Sequence, residues 1–178
     1  MPLRILGIDP GTRHTGYAVV ESSNELTPLT WDSISPISTS PIEERLTLIH
    51  NQLVNVINRW QPNEVAIEEP FLGKGERRYI KSAFAIGQAQ AIALIAATEA
   101  GIPVFRYSPS QIKVAVTDYG TATKHQVLLM VCSIMKLDNY PLSDDAADAL
   151  ALCICHTRNK QVQDTLKREI TLPLWSPP

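Results

Sequence analysis

Four carboxylates stand where acids are costly. Asp9 ends a mostly apolar run, Leu3-Arg4-Ile5-Leu6-Gly7-Ile8, and Glu68 ends a second, Val65-Ala66-Ile67. A carboxylate buried at the end of a sheet strand needs company: an arginine, a helix N-terminus or a metal. Further along, Asp145 and Asp148 are spaced to share one face of a helix in its first turn. Where the three segments converge, four acids face one another. Such crowding is tolerated only when some are protonated or when divalent cations neutralise them, and an all-carboxylate shell suits hard Mg²⁺ or Mn²⁺. That is the donor set of a two-metal phosphoryl-transfer site. The other reading leaves Asp9 and Glu68 in turns and has Asp144, Asp145 and Asp148 cap a helix. Spacing does not decide between them, because convergence in space is not written in a sequence.

The elements that must position these acids follow from periodicity and turn chemistry. Leu3–Ile8 and Thr15–Glu21 read as a hairpin about the turn Asp9-Pro10-Gly11-Thr12-Arg13. Leu26–Ile37 is a third strand, pushed to an edge by Pro28 and Pro36. Ile42, Leu46, Ile49, Leu53, Val56, Ile57 and Trp60 then keep helical steps, predicting a helix over 42–60 between Pro41 and Pro62. Glu64–Glu68 is a fourth strand, Tyr79–Ala100 an Ala-rich helix closed by Gly101, and Pro103–Tyr107 a fifth strand. Helices follow over 109–117, 124–136 and 144–157, the last with an acid-rich first turn suited to the positive end of its dipole. The expected fold is α/β, a mixed five-stranded sheet flanked by helices, over residues 1–158. Residues 159–178 are expected to be a C-terminal tail, partly irregular.

Composition agrees with one globular domain: 178 residues, 44% hydrophobic and 19% charged, without low-complexity runs. This excludes a disordered, collagenous or coiled-coil chain. The longest apolar run, Ala91–Ala97, is far short of the roughly 18 residues of a membrane-spanning helix. The first apolar stretch meets Asp9 too early for a secretory signal, and three cysteines are an odd number, so the expected location is cytoplasmic. Cys153-x-Cys155-His156 lacks a second ligand pair and reads as helix core rather than zinc. The net charge of −2 does not decide for or against a polyanionic partner. Its distribution says more: Lys74, Arg77, Arg78 and Lys81 cluster against Glu76 alone, as a solvated face or as a contact for a polyanion.

Taken in order, Ile5-Leu6-Gly7-Ile8-Asp9-Pro10-Gly11-Thr12-Arg13 with Thr15-Gly16-Tyr17, Ala66-Ile67-Glu68 with Phe71, Gly87-Gln88-Ala89, and Asp145-Ala146-Ala147-Asp148-Ala149-Leu150-Ala151 resemble the RuvC-type Holliday junction resolvases. The resemblance spans about residues 3 to 157. It implies an RNase H-like fold and a homodimer that cuts opposed strands of a four-way DNA junction in recombination and repair. It also implies two Mg²⁺ or Mn²⁺ ions per site, 5′-phosphate and 3′-hydroxyl ends, and a branch-migration helicase complex as a candidate partner. The family's metal-binding acids fall on Asp9, Glu68, Asp145 and Asp148, the acids singled out above. Strand alternation sends Glu69 to the opposite face, and Asp144 is read as a helix cap.

The family's base-contacting aromatic falls on Phe71, beside the basic Lys74, Arg77 and Arg78. An exposed ring there can stack on an unpaired base for roughly 1–3 kcal/mol. Lys113 in Ser110-Gln111-Ile112-Lys113 and Lys124 in Thr123-Lys124-His125-Gln126-Val127 resemble lysines that approach the scissile phosphate or the DNA backbone. Lys124 is counted with the catalytic group, and both with the DNA contacts. The chain departs from the family in a longer, more charged stretch from Phe71 to Gly87, and in Gln90-Ala91 where Arg-Gly is common. Ala83, Gly87 and Ala91, at four-residue steps, allow close approach of a neighbour, within the chain or across a dimer. His14 and His50 read as surface residues. The alternatives are a related RNase H-like nuclease acting on other branched DNA or structured RNA, and a junction-binding protein that does not cut. Half of a two-domain nucleotide-dependent kinase or chaperone ATPase is disfavoured by length.

Overall fold

The computed structural model describes residues 2–69, 77–137 and 140–171, with the backbone alone at 77–82 and 168–171. Ten elements follow in order: β1 Leu3–Asp9, β2 Thr15–Ser22, β3 Leu26–Ile34, α1 Ile42–Trp60, β4 Glu64–Glu68, α2 Arg77–Glu99, β5 Val104–Tyr107, α3 Pro109–Thr117, α4 Lys124–Met135 and α5 Asp144–Thr171. The strands form one sheet in the order β3-β2-β1-β4-β5. The first three are antiparallel, while β1–β4 and β4–β5 are parallel. The mixed five-stranded sheet is therefore as expected.

Strand alternation divides the core in two. Leu6, Ile8, Val19, Val65 and Ile67 face α1 and α2, whereas Ile5, Ala18, Val20, Ala66 and Tyr107 face α3, α4 and α5. The face of each polar residue follows by parity: Gly7, Asp9, Gly16, Glu64 and Glu68 all lie on the α5 side. Helix α5 is buried from Ala149 to Cys155, and it lies against bare strand backbone. A Cβ on Gly7 would stand 2.2 Å from the Ala149 carbonyl oxygen, and one on Gly16 2.0 Å from that of Asp145. No other residue type fits at these two positions.

Two boundaries differ from expectation. Strand β3 ends at Ile34 rather than Ile37, because Pro36 offers no N–H to a ladder and Ile37 is exposed. Helix α5 does not stop at 157 but continues to Thr171. The apolar pattern ends near Thr157, yet 158–171 contains no Gly or Pro and is rich in straight-chain residues that keep a helix going in water. What stops at Thr157 is burial, so the expected tail is helical to Thr171; residues 172–178 lie outside the described residues. No helix of the described residues is long and apolar enough to cross a membrane.

The far end of the α5 face carries a closed polar network. His156 is buried, with Nε2 2.6 Å from Glu64 Oε2 and Nδ1 2.6 Å from the Tyr107 hydroxyl, and Lys160 pairs with Glu64. Burial of Glu64 opposes its ionisation, but hydrogen bonds from Lys160 and His156 outweigh it and hold the carboxyl below its ordinary range. An ionised carboxylate only accepts, so His156 Nε2–H donates to Glu64 and Tyr107 O–H donates to Nδ1. Cys153 and Cys155 are buried, and burial pushes both thiols up to about 12. Cys153 Sγ lies 3.6 Å from the Ala18 carbonyl oxygen.

Replacing Gly7 by Ala forces α5 off the sheet and lowers the unfolding free energy by about 1–3 kcal/mol. The check is urea unfolding, where the midpoint falls while the denaturant slope is unchanged.

Candidate active site

The site is built from one row of the sheet. Asp9 pairs with Gly16, and Gly16 with Ser33. On the other side Ile8 pairs with Ile67, so the next residues, Asp9 and Glu68, are neighbours at the carboxyl ends of two parallel strands. Glu68 in turn pairs with Tyr107. The first turn of α5 arrives over the gap that Gly16 leaves, bringing Asp145 above the row and Asp148 next to it on the same helical face. Ser143 caps that turn, with its hydroxyl accepting from Ala146 N–H at 3.3 Å. Asp144 is thus the first residue of the helix rather than its cap. Asp9, Glu68, Asp145 and Asp148 are all half-buried.

Their ionisation shows that they share one field. Burial raises Asp9 to about 7, assisted by the charges of Glu68, Asp148 and Asp145 and opposed by Lys124. Glu68 is raised by burial and by Asp148, against Lys124 and Lys113. Asp148 is raised by burial most of all, with Lys124 opposing. Lys124 Nζ lies 3.2 Å from Asp148 Oδ2 and 3.3 Å from Asp144 Oδ2. Burial depresses its pKa, but those two carboxylates outweigh it and the net shift is upward. Among the described residues no three acidic, histidine or cysteine side chains are gathered as a ready metal cage. The donor set nevertheless fits a hard divalent cation: burial and neighbouring carboxylates push Asp9, Glu68 and Asp148 toward protonation, and a dication would reverse that pressure.

A cleft of about 260 Å³ opens beside the acids, lined by Glu68, Asp148, Lys113 and Lys124 with an apolar wall that includes Ile112 and Val127. Lys124 is the first residue of α4, fixed by a capping box between Thr123 and Gln126. Lys113 rides on α3, which Ser108 and Gln111 cap in the same way. Asp9, Glu68, Asp145, Asp148, Lys113 and Lys124 therefore come together from five elements. Phe71 and Lys74 lie outside the described residues; Arg77 and Arg78 open α2, with their side chains outside as well. Glu69 lies just past β4, exposed, its N–H donating to the Tyr107 carbonyl at 2.8 Å.

Several supporting residues escaped the sequence reading. Arg45 of α1 donates through Nε to the Thr12 carbonyl at 3.0 Å, and buried Thr15 donates to the Gly11 carbonyl at 2.6 Å, pinning the turn after Asp9. Gln90 donates to the Glu68 carbonyl at 3.2 Å, a use for one of the positions where the chain departs from the family. Ser33 donates to Asp145 Oδ2 at 3.1 Å. Apart from the Thr15–Gly11 bond, each contact joins segments far apart in the chain, so no local pattern announces it. His14 is exposed and bonds Ser35 at 2.9 Å, and half-buried His50 bonds Glu99 at 3.0 Å. A Cβ on Gly87 would meet nothing within 4 Å and Phe84 is 74% exposed, whereas Ala89 on the same helix is buried.

Comparison with known proteins matches residues 5–156 to the family described as crossover junction endodeoxyribonuclease RuvC. The enzyme of that name from Dehalococcoides mccartyi strain BAV1 is 49% identical over 155 residues, 86% of this chain and 90% of the relative. That of Thermomicrobium roseum is 40% identical over 154 residues, 86% of this chain and 92% of the relative. Among solved structures, T. thermophilus RuvC in complex with Holliday junction substrate superposes with a TM-score of 0.82 at 34% identity, covering 90% of this chain and 96% of the other. The yeast mitochondrial Holliday junction resolvase Ydc2, 13% identical, shares the fold with a TM-score of 0.63 over 93% of this chain and 84% of its own.

The raised Asp9 gives a signed dependence on pH. Unfolded, its carboxyl titrates near 3.8; folded and metal-free, near about 7. Between those values the folded chain keeps a proton that the unfolded chain has released, so this group's contribution to stability falls as pH rises. A divalent cation relieves the penalty only where the carboxylate is charged. Excess Mg²⁺ therefore raises the Tm by several degrees at about pH 8 and by much less at about pH 5.5. Thermal unfolding with Mg²⁺ or EDTA at both pH values reads this, and Asp9→Asn diminishes the difference.

Proposed function

The chain belongs to the RuvC family of crossover junction endodeoxyribonucleases, a metal-dependent nuclease that resolves Holliday junctions, and we propose that it does so at the cluster of Asp9, Glu68, Asp145 and Asp148 with two Mg²⁺ or Mn²⁺ ions. The observation that carries this assignment is Asp9, raised to about 7 by burial and by the other three carboxylates. An acidic cluster held at that cost, open to a cleft and flanked by two lysines, has the charge pattern of a phosphodiester site.

When bound, the ions supply activation of water and charge stabilisation at the phosphate and its leaving oxygen. The chain's own residues do the rest. Asp9, at the centre of the row, is the carboxylate best placed to be shared between the two ions. Lys113 and Lys124 present positive charge to the cleft, where it favours the phosphate and the further negative charge of its transition state. Ile112 and Val127 make one wall apolar, which strengthens those charges by thinning the water around them. Hydrolysis leaves a 5′-phosphate and a 3′-hydroxyl that a ligase can rejoin.

Phe71, Lys74, Arg77 and Arg78 belong in this reading to the junction contact, by stacking and by phosphate neutralisation. The protein works as a homodimer, because two sites related by a two-fold axis match a junction of approximate two-fold symmetry. The open space at Gly87 and the exposed Phe84 of α2 support that state. The reading also expects a branch-migration helicase complex as partner, in the cytoplasm, and takes residues 1–158 as the nuclease domain.

A labelled four-way junction, tested beside matched duplex, single strand and structured RNA with Mg²⁺, Mn²⁺ or EDTA, decides the matter. The expected result is paired, ligatable cuts confined to the junction and abolished by EDTA. Asp9→Asn lowers the cleavage rate by about 10²-fold or more while junction binding persists. Preference for another branched DNA or for RNA would keep the site and change the substrate; tight binding without cuts would discard the assignment of catalysis.

A further inference from the structure

Three of the four acids are steadied by structure next to them. Asp9 and Glu68 end paired strands, the Glu68 carbonyl is held by Gln90, and Asp148 is bonded to Lys124. Asp145 is placed differently, in the first turn of α5, where Lys124 reaches Asp144 and Asp148. The contact on its carboxylate is the Ser33 hydroxyl, 3.1 Å from Oδ2.

That contact is built into the sheet. Ser33 pairs with Gly16 across β2 and β3, and Gly16 is the residue whose missing side chain admits the Asp145 backbone. The same row thus sets both the main chain of Asp145 and the group that meets its side chain. Ser33 is itself fixed, since its N–H donates to Asp32 Oδ1 at 2.8 Å. Its hydroxyl lies 3.5 Å from that of Ser35, which is 2.9 Å from His14 Nδ1.

With the His14 proton on Nδ1, this chain of contacts runs in one direction. The Ser33 hydroxyl donates its one proton to Asp145 Oδ2 and has only lone pairs left for Ser35. Ser35 then donates to Ser33, and His14 donates to Ser35 from Nδ1–H. All three donors point toward the carboxylate, which orients Ser33 and discourages it from turning away.

We propose that Ser33 is a positioning residue for Asp145: its hydroxyl, oriented through Ser35 and His14, holds Oδ2 and leaves Oδ1 as the ligand oxygen offered to a divalent cation. This rests on the metal-site reading above. Partners that orient a metal ligand commonly control affinity by 10- to 100-fold, and a neutral hydroxyl reaching one oxygen belongs at the lower end of that range.

The test uses the full chain without DNA and reads Mn²⁺ binding by titration calorimetry or by the electron paramagnetic resonance signal of unbound Mn²⁺. Ser33→Ala weakens binding about tenfold, and Ser33→Thr, which keeps the hydroxyl, stays within about twofold of wild type. In an Asp145→Asn background Ser33→Ala adds nothing further. Metal-free thermal unfolding of the variants, matched to wild type, supports an effect at the ligand rather than on the fold. Unchanged Mn²⁺ affinity in Ser33→Ala, or an equal loss with and without Asp145, overturns the proposal while leaving the metal site standing. Wild-type chain that binds no Mn²⁺, or that is indifferent to Asp145→Asn, overturns the metal-site reading and this proposal with it.

Discussion

The structure depends on one close approach, that of α5 to the unadorned backbone of β1 and β2. Gly7 and Gly16 let the helix settle where any other side chain would hold it away. The apolar stretch from Ala149 to Cys155 then fills the centre of the α5 face. Burial of this surface supplies the free energy that holds Asp145 and Asp148 against Asp9 and Glu68 despite their repulsion. The acids do not attract one another into place. They are carried there by a helix whose packing is favourable for other reasons, and the raised Asp9 is the electrostatic cost that remains.

Strand β4 shows how sharply context decides the state of a carboxylate. Glu64 and Glu68 stand at its two ends, on the same face and opposite the same helix. Glu64 meets His156 and Lys160, its charge is matched, and its carboxyl is held below the ordinary range. Glu68 is raised by burial and by Asp148, which Lys124 and Lys113 offset only in part. One end of the strand is a satisfied structural network that closes the core. The other is left electrostatically incomplete.

Much of this was legible in the sequence because two periods carry it. Alternation in the strands put Asp9 and Glu68 at the ends of buried runs, and the three-residue step put Asp145 and Asp148 on one helical face. Parity even determines that Glu68 and Glu69 part ways. What the periods could not convey was contact between distant segments: Ser33 on Asp145, Gln90 on Glu68, Arg45 on Thr12. The end of α5 was misplaced for a related reason. Hydrophobic periodicity reports burial, and at Thr157 burial ends while the backbone continues on helix propensity alone. Asp144 was assigned as the cap because acids suit that position, but Ser143 was one residue earlier and took it.

The charge balance of the cleft bears on how it meets its substrate. Asp9, Glu68, Asp145 and Asp148 outnumber Lys113 and Lys124 around the cleft, and a phosphodiester brought there is anionic as well. In the proposed reading these acids oppose the approach of DNA until cations arrive. Attraction has to come from elsewhere on the chain, and the stretch holding Lys74, Arg77, Arg78 and Lys81 carries the densest positive charge in the sequence. In the proposed reading binding and cutting rest on separate groups, and Lys124, its ammonium held by Asp144 and Asp148, stands between them. On that reading the basic stretch of the sequence supplies the attraction for the junction, while hydrolysis waits for the carboxylates to be neutralised.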